Sequence, residues 1–464
     1  MSEPSEPATP VPPPYPPPAR REIFGWAMFD FANSSYTTVI ITAAFGIYFT
    51  KLVAPDGGAF YWGLGIAISN LAVLLLSPVV GAIADDSGRK KLFLALTYTM
   101  CVAGTLLLYF VGPGQVGLGL FLLVLSFVGF SFGENLAAAF LPEISTPRNV
   151  GRISGFGWGL GYFGGLGCLV LVRPFLAGGY ELANVPRLRM AWLLTGLFFL
   201  VAALPTFLFL KERAPRSSRT VGEYVRAGFA RLGTTAHSAR RFSELTRFLG
   251  VFTLYNAGLS SVVAFAGIFA ENTLGFTADQ IIFLFILLQL SAAAGAFLFG
   301  VIQDHIGSPR TIQIALVLWI LVCVGSWLCG DGVNTEVLPG VNGKQFFWWV
   351  GMAAGLGIGS LQSASRGLVG LFSPIEKSGE FFGLWGLAGK AAYMVGPLIF
   401  GLLASQTGSQ RTAMLSTAVF FVLGLIGMSF IDERRGRAAA EAWHEERRQA
   451  ALAADREAAE ALVV

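Results

Sequence analysis

Charge, histidine and cysteine are all scarce in this 464-residue chain: 13% of residues are Asp, Glu, Lys or Arg, with three histidines and four cysteines. His237, His305 and His444 stand far apart, and Cys101, Cys168, Cys323 and Cys329 sit in or at the end of apolar runs without CxxC spacing. These gaps exclude a zinc site or a nucleophile–histidine pair built from neighbouring motifs, and they leave the cysteines as small packing residues. No cofactor and no metal is expected. The net charge of +4 gives no sign of a nucleic-acid partner. The opening "MSEPSEPATPVPPPYPPPARR" lacks the apolar core of a cleaved leader, so the first spanning helix is expected to stay in place. Its nine prolines before Arg20 predict a disordered, polyproline-like tail. The "PPPY" within it reads as a chance match to a ligand for Pro-binding domains.

What the chain has is apolar length. Hydrophobic residues make up 54% of it and the mean hydropathy is +0.64, with charges gathered in short connectors between runs of spanning length. This reads as an all-α membrane protein of about twelve transmembrane helices, near 24–49, 60–84, 92–112, 117–139, 151–172, 188–210, 246–270, 279–303, 310–330, 346–370, 379–403 and 410–431. The domain reading follows: 1–21 a Pro-rich tail, 22–210 a six-helix bundle, 211–245 a linker, 246–431 a second six-helix bundle, and 432–464 a charged tail. Within the linker, "VGEYVRAGFARLG" spaces its apolar residues like a short interfacial helix. The tail is Ala-, Glu- and Arg-rich and predicts a solvated polar helix.

Even spacing puts both tails and the linker on one side. That side carries 24 of the 32 Lys and Arg residues against 6 opposite, so both termini are expected in the cytoplasm. The halves also repeat. Gly81, Ile83, Asp85, Gly88 and Lys91 of "GAIADDSGRKK" match Gly300, Ile302, Asp304, Gly307 and Arg310 of "GVIQDHIGSPR" at an offset of 219, and "WGL" recurs at 158–160 and 385–387.

Four charges lie inside predicted spans: Asp30, Glu134, Arg366 and Lys390. Each costs about 2.5–3.5 kcal/mol to insert, so each is expected to face a cavity with a partner. Glu134 stands eight residues before Pro142 and Arg366 eight before Pro374, which predicts a Glu134–Arg366 gate pair between the fourth and tenth helices, with Asp30 as a second carboxylate. Lys390 falls near the midplane, where an ammonium can meet a substrate carboxylate or an acid. Asp30, Asn33 and Thr37 share one helix face and predict a polar stripe along the cavity; Asp30 is the candidate for proton exchange. Gln362 shares a face with Arg366, while Asn70, Asn135, Asn256, Ser260 and Gln289 read as helix-to-helix contacts. The run "SGFGWGLGYFGGLG" has small-xxx-small spacing for close packing, and no strand precedes it as a phosphate loop requires.

The loop has its own chemistry. Gly81 permits close helix contact, Gly88 punctuates the turn, Asp85 can accept from the N-terminal amides of a facing helix, and Arg89 can bind carboxylates across the seam. Lys90 and Lys91 read as topology determinants, and Asp304 marks a second, weaker latch. The Gly-x-x-x-Asp-x-x-Gly-Arg-Lys pattern of "GAIADDSGRK" in a 6+6 chain resembles the major facilitator superfamily. "GWAMFDFANSSYTTVIITAAFGIYF", "AAAFLPEISTPRNVGRISGFGWGLGYFGG" and "SLQSASRGLVGLFSPIEKSGEFFGLWGLAGKAA" resemble the autophagy-linked vacuolar amino-acid effluxers and their bacterial relatives. The resemblance implies the major facilitator fold, alternating access by rocking of two bundles about a central site, and export of small amino acids, with a lipid bilayer, a small-molecule substrate and protons as partners. A monomer is expected, in the inner membrane of a bacterium or a vacuolar-type membrane of a eukaryote. Two rivals stand beside the transporter: a membrane-embedded enzyme acting on lipid, which lacks a visible nucleophile, base or metal cluster, and a sensor or scaffold working through the tails.

Overall fold

In hydrocarbon no water satisfies a bare backbone, so apolar runs of this length close their hydrogen bonds internally as helices. The computed structural model describes residues 17–213, 241–330 and 336–461. The Pro-rich tail through residue 16 and the "VGEYVRAGFARLG" segment lie outside the described residues.

The first half comprises α1 (Arg20–Val53), α2 (Gly58–Ser87), α3 (Lys90–Phe110), α4 (Val116–Ile144), α5 (Val150–Leu176) and α6 (Leu182–Phe209). The second comprises α7 (Ser243–Asn272), α8 (Ala278–Ile306), α9 (Ser308–Leu328), α10 (Gly343–Phe372), α11 (Ser378–Thr407) and α12 (Gln410–Met428). A further helix, α13 (Glu433–Ala461), follows. Two short antiparallel strands, β1 (Glu336–Leu338) and β2 (Val341–Asn342), form a hairpin between α9 and α10 that the all-helical reading did not contain.

Local chemistry sets several ends. Thr277 and Gln280 form a capping box at the start of α8, as do Asn342 and Gln345 at the start of α10. Gly88 ends α2 with φ +62°, a left-handed conformation that glycine adopts without strain. Helix α1 changes to π-helical winding over Thr37–Ala43, just past its Asp30–Asn33 face.

Eleven of the described helices are long and apolar enough to cross a membrane. The twelfth, α10, is as long but glycine- and serine-rich, because most of its side chains are buried against protein rather than lipid. Each half has its own core: Trp26, Phe45, Tyr48 and Trp192 in the first, Tyr255, Trp319, Phe347 and Phe421 in the second. The four cysteines are buried and unpaired. Successive spans alternate in direction, so the starts of the odd-numbered helices and the ends of the even-numbered ones share one face with α13, here termed the tail face.

Candidate functional site

Two sets of polar groups sit between the halves. The deeper centres on Arg366. Its Nη1 donates to Asp30 Oδ2 (2.6 Å), its Nη2 to the Ser154 carbonyl (2.8 Å) and its Nε to Ser154 Oγ (3.1 Å). The guanidinium also lies 4.7 Å from the Trp26 ring and 5.3 Å from that of Trp158, and Trp26 is itself held by donation to the Ala137 carbonyl (2.7 Å). Gly157 makes room for the pair, since a β-carbon there would stand 2.5 Å from Asp30 Oδ2. With side chains 3% and 13% exposed, this is a buried charge pair inside an aromatic clamp, with Ser154 taking the remaining guanidinium donors.

The predicted Glu134–Arg366 pair is therefore corrected: Arg366 is bonded to Asp30 of α1, not to Glu134. The Trp26 and Trp158 rings and the Ser154 backbone aim the guanidinium toward α1 and α5. Glu134 makes no ion pair with Arg366; its charged neighbours are Lys390, Asp30 and Arg366. Lys390 Nζ lies 4.9 Å from the Phe127 ring and 5.9 Å from that of Phe130. From helix positions, Asp30, Glu134 and Lys390 each lie about 15–18 Å from the tail-side helix ends, in one layer. Asn33 is buried with an unpartnered Oδ1. Thr37 donates to the Ser34 carbonyl (3.2 Å) at the start of the π-helical turn. Gln362 is half-buried one turn before Arg366.

The other set lies at the tail face. Asp85 Oδ1 accepts from the Gly379 N–H (2.9 Å) and Oδ2 from the Glu380 N–H (2.8 Å), the start of α11. Lys90, fully buried, pairs with Glu143, stands 3.7 Å from Asp85 and donates to Ser378 Oγ (2.8 Å). Opposite, Asp304 Oδ1 accepts from the Gly151 N–H (2.8 Å), and Oδ2 from the Arg152 N–H (3.2 Å) and Nε (2.7 Å). Both seams are glycine-lined: a β-carbon on Gly379 would stand 2.6 Å from the Gly81 carbonyl oxygen, and one on Gly300 2.6 Å from that of Gly151. All of these contacts lie in the tail-side part of the helices, and there the halves are joined.

Arg89 is exposed and pairs with no carboxylate among the described residues, so its predicted role across the seam falls to Lys90. Lys90 is no mere topology determinant. Its signal was available in the adjacent "GRKK", but Arg89 and Lys90 are sequence neighbours, and only their placement at the start of α3 leaves the first exposed and brings the second to Glu143. Sequence reasoning also missed Trp26, Trp158, Ser154 and Glu143. Asn135 donates to Ser77 Oγ (2.7 Å) and Ser260 to backbone carbonyls, the helix-to-helix roles expected of them. Gly161 and Gly164 of the glycine run sit against α1 at Ser34 and Phe31, a packing stripe. Among the described residues no group of three or more His, Cys, Asp or Glu is placed to hold a metal ion.

A family model described as "Vacuole effluxer Atg22 like" matches residues 59–441. An uncharacterized MFS-type transporter of Bacillus subtilis (strain 168), YxiO, is 25% identical over 417 residues, covering 88% of this chain and 94% of that protein. Autophagy-related protein 22 of Kluyveromyces lactis is 27% identical over 324 residues, covering 67% of this chain but only 63% of that protein, so this chain spans less than two thirds of it. The major facilitator superfamily proton:xylose symporter XylE superposes with a TM-score of 0.69 at 14% identity, covering 91% of this chain and 99% of that one. That likeness carries the fold alone: two six-helix bundles of the major facilitator type.

Proposed function

Because this multi-pass membrane protein belongs to the Atg22-like vacuole effluxer family of MFS-type transporters, we propose that it carries amino acids across the bilayer as a monomer, by alternating access and in the direction of efflux. The family is described as a vacuole effluxer and the Bacillus subtilis relative as an MFS-type transporter, which favours transport over lipid chemistry.

The observation that carries the amino-acid reading is that Glu134 and Lys390, charges from opposite halves, lie in one layer of the membrane. They are in electrostatic range, no hydrogen bond joins them, and aromatic rings flank the lysine. An α-ammonium at Glu134 and an α-carboxylate at Lys390 complete both groups in one ligand, which explains a neutral pair kept at the depth where secondary transporters hold substrate. Arg366 is already neutralised by Asp30 and serves as a gate between the site and the tail face. In this reading the joined seams close the tail face and leave access to the site from the opposite side, and the Lys and Arg distribution supports a cytoplasmic tail face.

Uptake of labelled neutral amino acids into proteoliposomes tests this. Glu134→Gln and Lys390→Met are each expected to raise KM about 10-fold or more, the value of one lost charge-assisted bond. Unchanged KM in both variants removes them from the site. Proton coupling at Asp30 is tested separately with Asp30→Asn: an altered pH profile is expected, and a profile superimposable on the parent's removes Asp30 from coupling.

A further inference from the structure

We propose that α13 is a strap that holds the receiving side of the Asp85 seam, with Trp443 and His444 as positioning residues acting through the 373–377 loop. The sequence predicts a solvated extension here; the structure packs its first three turns on the second half, while residues 446–450 are exposed. The stretch "IDERRGRAAAEAWHEERR" opens with Asp432, whose Oδ1 accepts from the Arg434 and Arg435 N–H groups (2.9 and 3.2 Å) and caps the helix. Its first turn is tied to the second half at three points. Glu433 Oε2 accepts from the Ser308 N–H at the start of α9 (2.8 Å), the Asp432 N–H donates to Glu244 Oε2 (2.9 Å), and Arg435 pairs with Glu244 (3.3 Å).

Further along, Gly436, Ala440, Trp443 and Arg447 recur at four, three and four residues and so share a face. Gly436 lies flat on the Phe372 ring at the end of α10, where a β-carbon has no room. Trp443 sits among three cations, 4.8 Å from Arg241, 4.9 Å from Lys377 and 5.6 Å from Arg447, and meets Phe242 edge-on at 5.8 Å. His444 Nδ1 bonds the Glu376 carboxylate, and Arg241 pairs with Glu446 (2.6 Å).

Glu376 and Lys377 lead directly into Ser378, Gly379 and Glu380, the residues that take up Lys90 and Asp85. The α13 contacts named here fall within the second half or on Arg241 and Phe242 immediately before α7, none on the first half. The strap therefore does not pull the halves together; it acts by keeping two backbone N–H groups where one carboxylate can accept from both, a preorganisation that a freely moving loop lacks. The family match ends at residue 441, so Trp443, His444 and Glu446 lie beyond it.

The inference rests on the Asp85 seam being a closure, and the test separates the two. Spin labels at Arg89→Cys and Arg310→Cys, exposed tail-face positions in opposite halves, report the distance between them in the full-length protein in nanodiscs; the native cysteines are buried. Asp85→Asn is expected to move population to longer distances. Trp443→Ala is expected to raise the long-to-short ratio about 5-fold, Trp443→Phe to restore it, and Trp443→Ala added to Asp85→Asn to have no further effect. Glu376→Gln runs the same cycle should Trp443→Ala fail to fold. A Trp443→Ala (or Glu376→Gln) distribution equal to the parent's, or a full additive effect on the Asp85→Asn background, overturns the strap while leaving the closure standing. No shift in Asp85→Asn overturns both.

Discussion

Asp85 and Asp304 occupy equivalent places 219 residues apart, and each carboxylate accepts from the first backbone N–H groups of a helix in the other half. Their surroundings differ. Around Asp85 a second buried charge pair, Lys90–Glu143, joins the seam, with Lys90 also bonded to Ser378 across it. Around Asp304 the supporting cation, Arg152, has a side chain 58% exposed. A carboxylate on helix N-terminal amides is favourable at either seam, through the helix dipole and the unpaired amides. Only the Asp85 seam adds charges that have nowhere else to go, so its loss leaves uncompensated buried charge. The Asp304 seam gives its arginine back to water.

That difference can be broken in order of size. Lys90→Met strands Glu143 and removes the bond to Ser378, and is expected to cost about 3–5 kcal/mol, read as a lower melting temperature in detergent. Combining it with Glu143→Leu is expected to recover much of the loss; a double variant as unstable as the single contradicts the stranded-charge account. Gly81→Ala, whose new methyl meets the Gly379 backbone, is expected to cost about 1–3 kcal/mol of tail-face closure, seen as greater labelling of single cysteines introduced along the two seams. Asp304→Asn is expected to lose about 1–2 kcal/mol, less than Asp85→Asn by the same labelling measurement. Arg152→Ala is expected to change closure by at most about 1 kcal/mol, because an exposed ion pair is screened by water and salt. An Arg152→Ala effect as large as that of Lys90→Met would make the two seams equivalent and end the comparison.

Much of this was legible beforehand. Twelve spans, the 6+6 duplication and the acceptor role of Asp85 follow from apolar run length and from a loop repeated at a constant offset. The same offset also relates Tyr36 to Tyr255, which hydrogen-bond Ser126 and Ser365 in their respective halves. The ionisable residues Asp30, Glu134, Arg366 and Lys390 were identifiable because charge in an apolar run needs a reason. Their partners were not. Arg366 was matched to Glu134 by spacing from a proline, but the Trp26 and Trp158 rings direct it to Asp30. Lys90 and Arg89 are neighbours of like charge, and composition does not distinguish the one turned inward.

By itself, then, the sequence determined which segments enter the membrane, that the second half repeats the first, and which residues carry charge at depth. Those properties belong to single segments and to the solvent each must face. Tertiary structure decided who pairs with whom: Asp30 with Arg366, Lys90 with Glu143, His444 with Glu376. A charge pair forms or fails within a few ångströms, and that distance is set by how helices remote in sequence cross, a quantity written in no single segment.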